Sequence, residues 1–198
     1  MSTMVPTVPT VSGSMMTFSG NHFEAFNPNS PPPGIADISV ALGRVCRFSG
    51  QGSRWWPVLL HSMAVADLLS NEVKIYGLLH DAAESVMGDV PRGFKTADYK
   101  DLEEHVMARI LKSFGLPPMG PKTVSLVKFA DDELLAAESW IVGPPRLGPM
   151  ITPDRYPDTE RTIMKYLDDF PPEECIRPDG LAIIEFRRRA SVYLGWAG

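Results

Sequence analysis

Gly77-Leu78-Leu79-His80-Asp81-Ala82-Ala83-Glu84-Ser85-Val86-Met87 is the stretch on which the fold class turns. Ile75, Leu78, Leu79, Ala82 and Val86 recur at helical spacing. The spacing predicts one helix from about Glu72 to Met87, closed by Gly88. His80, Asp81 and Glu84 fall together on the other side, with His80 and Glu84 as i, i+4 neighbours. A solvated polar face is the plain reading of such a cluster. The flanking Gly77-Leu78-Leu79 and Ala82-Ala83 speak against it, because they belong to a tightly packed helix. Adjacent His, Asp and Glu in that setting are costly without partners.

The same period continues on both sides. Ile35, Ile38, Leu42 and Val45 mark a helix, and a second runs from about Pro57 to Leu69. Beyond the quoted stretch, helices are expected over about Asp98–Phe114, Lys122–Val142, Thr159–Leu167 and Gly180–Leu194. Phe48–Trp56, residues 89–97 and the proline-rich Gly143–Pro157 read as loops. No strand alternation stands out, so the expected class is all-α, a single compact helical bundle. Residues 1–33 are rich in proline and poor in helix formers. Residues 1–16 are expected to be a disordered extension and residues 17–198 the domain.

Composition narrows the function. Of 198 residues, 44% are hydrophobic, enough for a real core, and 22% are charged. A net charge of −5 argues against long nucleic acid as a partner, though not against a small anion in a locally positive pocket. The two cysteines, Cys46 and Cys175, form no CxxC spacing, so a thiolate zinc site and a disulfide framework are both disfavoured. No run of residues reaches the roughly 20 apolar positions of a membrane span, and no signal peptide is visible. A cytoplasmic, reducing setting, in a bacterium or a phage-infected host, is the expectation.

Two more ionisable residues interrupt apolar stripes. His61 shares a face with Val58, Val65 and Leu68. Taken alone, it reads most simply as a core histidine held by one hydrogen bond. Asp131 shares a stripe with Val127, Leu134 and Glu138. A carboxylate on a core face needs a cation, either an arginine or a metal. One divalent ion bound by His61, His80, Asp81 and Asp131 would resolve these anomalies together. Mixed nitrogen and oxygen ligands suit Zn, Co, Mn, Fe or Ni better than Ca. Four protein ligands with room for water or substrate oxygens make a catalytic style of site.

His61-Ser62, Gly77-Leu78-Leu79-His80-Asp81-Ala82-Ala83-Glu84, Gly88-Asp89-Val90-Pro91 and Val127-Lys128-Phe129-Ala130-Asp131 together resemble the HD-domain phosphohydrolases. The likeness is greatest to the bacterial 5′-deoxynucleotidases and the phage dATP triphosphohydrolases, and covers roughly residues 17–140. It includes Asp37-Ile38, Ala41-Leu42 and Arg44-Val45-Cys46-Arg47-Phe48-Ser49-Gly50-Gln51. It implies an all-helical fold, a divalent metal (Zn, Co, Mn or Mg) and hydrolysis of phosphate ester or anhydride bonds in deoxynucleotides. It also implies that Glu84 and Asp89 orient water or move its proton, and that Arg47 and Lys95 contact phosphate. For Lys95 a solvated loop lysine is the alternative. The chain departs from the family pattern in the short link, 19 positions, between His61 and His80.

Substrate choice falls to the loop before the first ligand. In the related deoxynucleotidases an aromatic residue beside the arginine excludes a ribose hydroxyl, and Phe48 holds that place. Gln51 is suited to pairing with a base edge, and Trp55 or Trp56 to stacking on it. Hydrophobic anchoring of the second helix is the alternative for at least one of the tryptophans. The expected activity is a dATP/dNTP triphosphohydrolase, with a deoxynucleoside monophosphatase as the alternative. A nucleotide-binding HD module without turnover is the alternative of another class. The expected partners are a small nucleotide and other copies of the chain, with neither long nucleic acid nor membrane.

Overall fold

A computed structural model describes residues 13–144 and 157–196. The helices are α1 (Ile35–Arg44), α2 (Val58–Asp67), α3 (Lys74–Leu79), α4 (Glu84–Met87), α5 (Ala97–Ser113), α6 (Pro121–Ile141), α7 (Pro157–Asp169), α8 (Pro172–Ile176) and α9 (Leu181–Tyr193). The all-α class holds. Two short strands, β1 (Ser14–Met16) and β2 (His22–Glu24), form an antiparallel hairpin with Met15 opposite Phe23. No helix among the described residues is long and apolar enough to cross a membrane.

The core is organised around α2. Every residue from Val58 to Ala66 is buried, and the helix packs against α1, α3, α6, α7 and α9. A helix that is apolar all round has no solvent face to offer and sits at the centre of a bundle. Its Leu59, Leu60 and Met63 share one core with Ile38, Leu42, Leu78, Leu79 and Phe186. His61 and Ser62 are its buried polar side chains. His61 is therefore not on one apolar stripe but inside a helix buried on all sides.

Three expectations are corrected. The helix predicted over Glu72–Met87 is interrupted at residues 80–83, between α3 and α4. There the backbone winds more tightly, with Ala82 N donating to Leu79 O at 2.9 Å and Glu84 N to Asp81 O at 3.0 Å. The His80 imidazole explains the break: its Nδ1 donates to Gly77 O at 2.8 Å, the carbonyl that an α-helix would offer to the amide of Asp81. Ser14–Met16 is a strand rather than part of a disordered extension. Strands of three residues are too short to show alternation, and their order comes from elsewhere in the chain. Arg109 donates to the carbonyls of Glu24, Ala25 and Ser30, and His105 Nε2 bonds Ala25 O at 2.8 Å. Asp37 Oδ1 accepts from Ser19 N at 2.7 Å, which ties the hairpin's turn to α1. Finally, α8 falls where no helix is expected. The loop expected over residues 143–157 and the first 12 residues of the expected extension lie, but for residues 143, 144 and 157, outside the described residues.

Candidate metal centre

Two features of the chain bring the site together. Gly77 lets α3 lie directly on α2: a Cβ there would stand 2.5 Å from Leu69 Cδ1 and 3.2 Å from Ala66 Cα. That close approach, followed by the tight turn at residues 80–83, puts the rings of His61 and His80 5.1 Å apart. It also shows how a link of only 19 positions suffices. The second feature is α6, which crosses α2 and α3 and delivers Asp131 to the same point.

Candidate ligand atoms of His61, His80 and Asp131 converge, and Asp81 stands beside the two imidazoles. His61 Nε2 is 3.2 Å from His80 Nε2, 3.2 Å from Asp131 Oδ1 and 3.6 Å from Asp81 Oδ2. His80 Nε2 is 3.1 Å from Asp81 Oδ2 and 3.9 Å from Asp131 Oδ1. Ligands held at about 2.1 Å from a divalent ion lie about 3 to 4 Å from one another, so the separations among His61, His80 and Asp131 suit one. His61, His80 and Asp131 form the tight set able to hold a metal. Asp81 Oδ2 is buried and accepts no hydrogen bond of good geometry, yet it faces both imidazoles. Both histidines turn the right nitrogen inward. His61 Nδ1 donates to Glu138 Oε1 at 2.7 Å and His80 Nδ1 donates to Gly77 O, which leaves each Nε2 for the site. The donor set, two imidazoles and two carboxylates with no thiolate, fits a divalent metal with N/O preference.

Carboxylates dominate the electrostatics of the site. Burial and the Arg47 charge oppose protonation of His61, but Glu138 and Asp131 outweigh them and push the imidazole up to about 9. Burial acts against ionisation of Asp131, yet the His61 hydrogen bond and charge, with His80, hold it down to about 2. Asp81 is likewise held far below the usual carboxylate range by His80, His61 and Arg47 in spite of its burial. Glu84 goes the other way: burial, then the charges of Asp81 and Asp89, push it up to about 10. Burial also raises Asp89.

Asp81 and Asp131 open into a cavity of about 690 Å³, lined also by Arg47, Phe48, Glu84, Asp89, Val90, Pro91 and Lys95. Most of the expected substrate residues therefore share one space. Arg47 sits at its depth, with Nη2 3.3 Å from Glu138 Oε2 and Nη1 3.8 Å from Asp81 Oδ2. Lys95 Nζ is 2.7 Å from Glu103 and 3.8 Å from Glu84. Phe48 and Ser49 both adopt left-handed backbone, φ 57° and 51°. Consecutive non-glycine residues in that region store about 1 to 3 kcal/mol each, a strain that clusters at ligand sites. Gln51 and Trp55 are not among the lining residues; Gln51 is exposed and Trp55 half-buried. Trp56 is buried in the core and anchors the start of α2.

The residue that sequence reasoning left without a role is Glu138. It was legible only as a carboxylate on the Asp131 stripe, two helical turns further on. In the structure it is fully buried and takes hydrogen bonds from His61, Trp56 and Arg47. The loop between α1 and α2 makes this possible. Arg47 N donates to Trp56 O at 2.9 Å and Val58 N to Val45 O at 2.9 Å, so the loop closes on itself and sets Arg47 beside Trp56.

No family model matches the chain. The uncharacterized protein YfdR of Escherichia coli (strain K12) is 38% identical over 124 residues, which cover 62% of this chain and 68% of that protein. The chain belongs to the YfdR family. An uncharacterized protein of Rhodobacter capsulatus is 31% identical over 126 residues, covering 57% of this chain and 64% of its own length, just under two thirds.

Proposed function

We propose that the chain is an HD-type, metal-dependent phosphohydrolase acting on deoxynucleotides, with a deoxynucleoside triphosphate such as dATP as the favoured substrate. The observation that carries this reading is the meeting of His61, His80, Asp81 and Asp131 at a cavity that also holds Arg47, Lys95 and a strongly raised Glu84. A divalent ion held by the four ligands would acidify a water and neutralise charge on a phosphoryl oxygen. The chain's own groups do the rest. Arg47 and Lys95 grip phosphate oxygens, the arginine through its fork and the lysine as a point charge. Hydrolysis forms a bond from water oxygen to the α-phosphorus and breaks the bond from that phosphorus to the sugar O5′. Glu84, whose carboxyl is raised by burial and by the Asp81 and Asp89 charges, is the group assigned to give the departing O5′ its proton. Asp89, on the same cavity wall, orients the attacking water and takes the proton it sheds.

A triphosphate is favoured over a monophosphate because the cavity wall carries Arg92, Lys100 and Lys128 in addition to Arg47 and Lys95, set among carboxylates that include Glu103 and Glu104. Arg92 and Lys128 pair with Asp132 at the exposed rim, and a longer phosphate chain would take them over from that carboxylate. Val90, Pro91, Leu135 and Phe48 supply the apolar wall that a base and deoxyribose require. The test is incubation of the purified protein with each dNTP and dNMP in the presence of Co, Mn, Mg or Zn, with products resolved by chromatography. Deoxynucleoside and tripolyphosphate from dATP is the expected outcome. Release of phosphate from monophosphates alone transfers the reading to a nucleotidase. A metal-loaded protein that cleaves none of them is a binding module.

A further inference from the structure

Glu138 is fully buried, and a buried carboxylate is tolerated only where its oxygens are engaged. Oε1 accepts from His61 Nδ1 at 2.7 Å and from Trp56 Nε1 at 2.6 Å; Oε2 accepts from Arg47 Nη2 at 3.3 Å. Asp131 and Glu138 lie seven residues apart on α6, hence on the same face. Asp131 approaches His61 at Nε2, 3.2 Å away, while Glu138 holds Nδ1. A single helix thus clamps both nitrogens of one imidazole. The carboxylate can only accept, so Nδ1 carries its proton toward Glu138 and Nε2 is the nitrogen turned to the site.

The second oxygen acts on the anion side. Glu138 Oε2 pairs with Arg47, which reaches toward Asp81 and lines the cavity. Arg47 Nε is buried without an acceptor, so the guanidinium still has a donor to give. We propose that Glu138 is a positioning residue with two tasks: it orients His61 for a divalent cation with one oxygen and holds Arg47 for an anion with the other. This rests on the reading of the four ligands as a metal site, and extends it to a residue that touches neither the metal nor the substrate.

The experiment compares wild type with Glu138→Gln and Trp56→Phe. Each metal-free protein is titrated with Co(II), followed by its visible absorption, and each Co(II)-loaded protein is then titrated with inorganic phosphate. Glu138→Gln keeps the size but loses the charge and turns an amide toward either His61 or Arg47. It is expected to weaken Co(II) about tenfold or more, in line with other outer-shell partners of ligating histidines, to shift the Co(II) spectrum, and to weaken phosphate binding. Trp56→Phe removes the third donor and leaves both tasks intact, so its Co(II) affinity should stay within about threefold. A folded Glu138→Gln protein with unchanged Co(II) affinity and spectrum overturns the proposal. So does a Trp56→Phe loss as large as that of Glu138→Gln, since both would then report packing alone. If Glu138→Gln does not fold, long-range ¹H–¹⁵N spectra of Zn-loaded wild type decide. A protonated His61 Nδ1 with Nε2 bound to zinc supports the proposal, and the reverse overturns it. Wild type that takes up no divalent ion sinks the metal reading itself; uptake by wild type and Glu138→Gln alike sinks only the role of Glu138.

Discussion

Nε2 of His61 and Nε2 of His80 stand 3.2 Å apart, each with its Nδ1 already donating to an oxygen outside the site. Two imidazoles presented in this way, beside Asp81 and Asp131, turn two ring nitrogens toward one point. If that point is a metal, His80→Ala or Asp131→Ala should bring bound metal down about tenfold or more after dialysis against Co(II) or Zn(II). Elemental analysis of the dialysed protein checks this. Far-ultraviolet circular dichroism should be nearly unchanged, since neither residue belongs to the central apolar core. Full metal retention in both variants would sink the site.

Glu84 tests the proposed proton donor. Glu84→Gln preserves the shape and removes the proton that can be given, so phosphate-bond hydrolysis should fall by about 100-fold or more while bound metal stays constant. Turnover of dATP and metal content, measured on the same preparation, separate the two. Equal turnover in the variant rejects the assigned role.

Glu84 and His61 also predict how the metal-free protein responds to pH. Burial, with Asp81 and Asp89, raises Glu84 from an ordinary carboxylate value to about 10. Glu138 and Asp131, acting against burial and Arg47, raise His61 to about 9. Both groups bind more protons in the folded chain than in the unfolded one, so their contribution is lost as pH rises. Asp131, lowered to about 2, contributes in the opposite sense and only in acid. Thermal stability in the presence of a chelator should therefore peak near pH 5 and fall toward pH 9. Glu84→Gln should flatten that fall. A melting temperature that climbs between pH 6 and pH 9 contradicts this.

Phe48 lines the cavity from a strained left-handed turn. If its ring crowds the sugar at C2′, Phe48→Ala should relax a preference for dATP over ATP by about tenfold, mostly through the ribonucleotide's gain. Parallel kcat/KM values for the two substrates give the answer, and an unchanged ratio discards the sugar gate.

Gly43 sets the packing of α1 against α8 and α9. A Cβ there would lie 2.2 Å from Cys175 O and 2.7 Å from Ile183 Cδ1. Gly43→Ala must push backbone apart, and should destabilise by about 2 to 4 kcal/mol, against the few tenths that an unhindered helical Gly→Ala would gain. Urea unfolding of the two proteins measures it.

Much of this was legible in the sequence because helical periodicity is a local property. α1, α2, α5, α6, α7 and α9 fall within about two residues of where the apolar spacing sets them. Polar residues inside apolar stretches singled out His61, His80, Asp81 and Asp131, and the structure brings all four together. Where local reading failed, long-range contacts were in control. The hairpin at Ser14–Glu24 owes its order to Arg109, His105 and Asp37, far along the chain. The break at residues 80–83 comes from a side chain taking a backbone carbonyl, which no periodicity records. Gln51 and Trp55, chosen for their nearness in sequence to Arg47, lie off the cavity because the loop folds back on itself.

The all-helical class and the residue types of the site follow from the order of amino acids alone. Burying an imidazole or a carboxylate in an apolar stripe is expensive, so such residues announce a partner by their place in the pattern. Which partners they have is settled only by packing in three dimensions. The absent side chain of Gly77 brings α3 onto α2 and His80 to His61. The closed loop before α2 hands Arg47 to Glu138, and α6 delivers Asp131 and Glu138 to opposite nitrogens of His61. Those pairings span up to 91 positions of chain, and helix packing sets them rather than spacing along it.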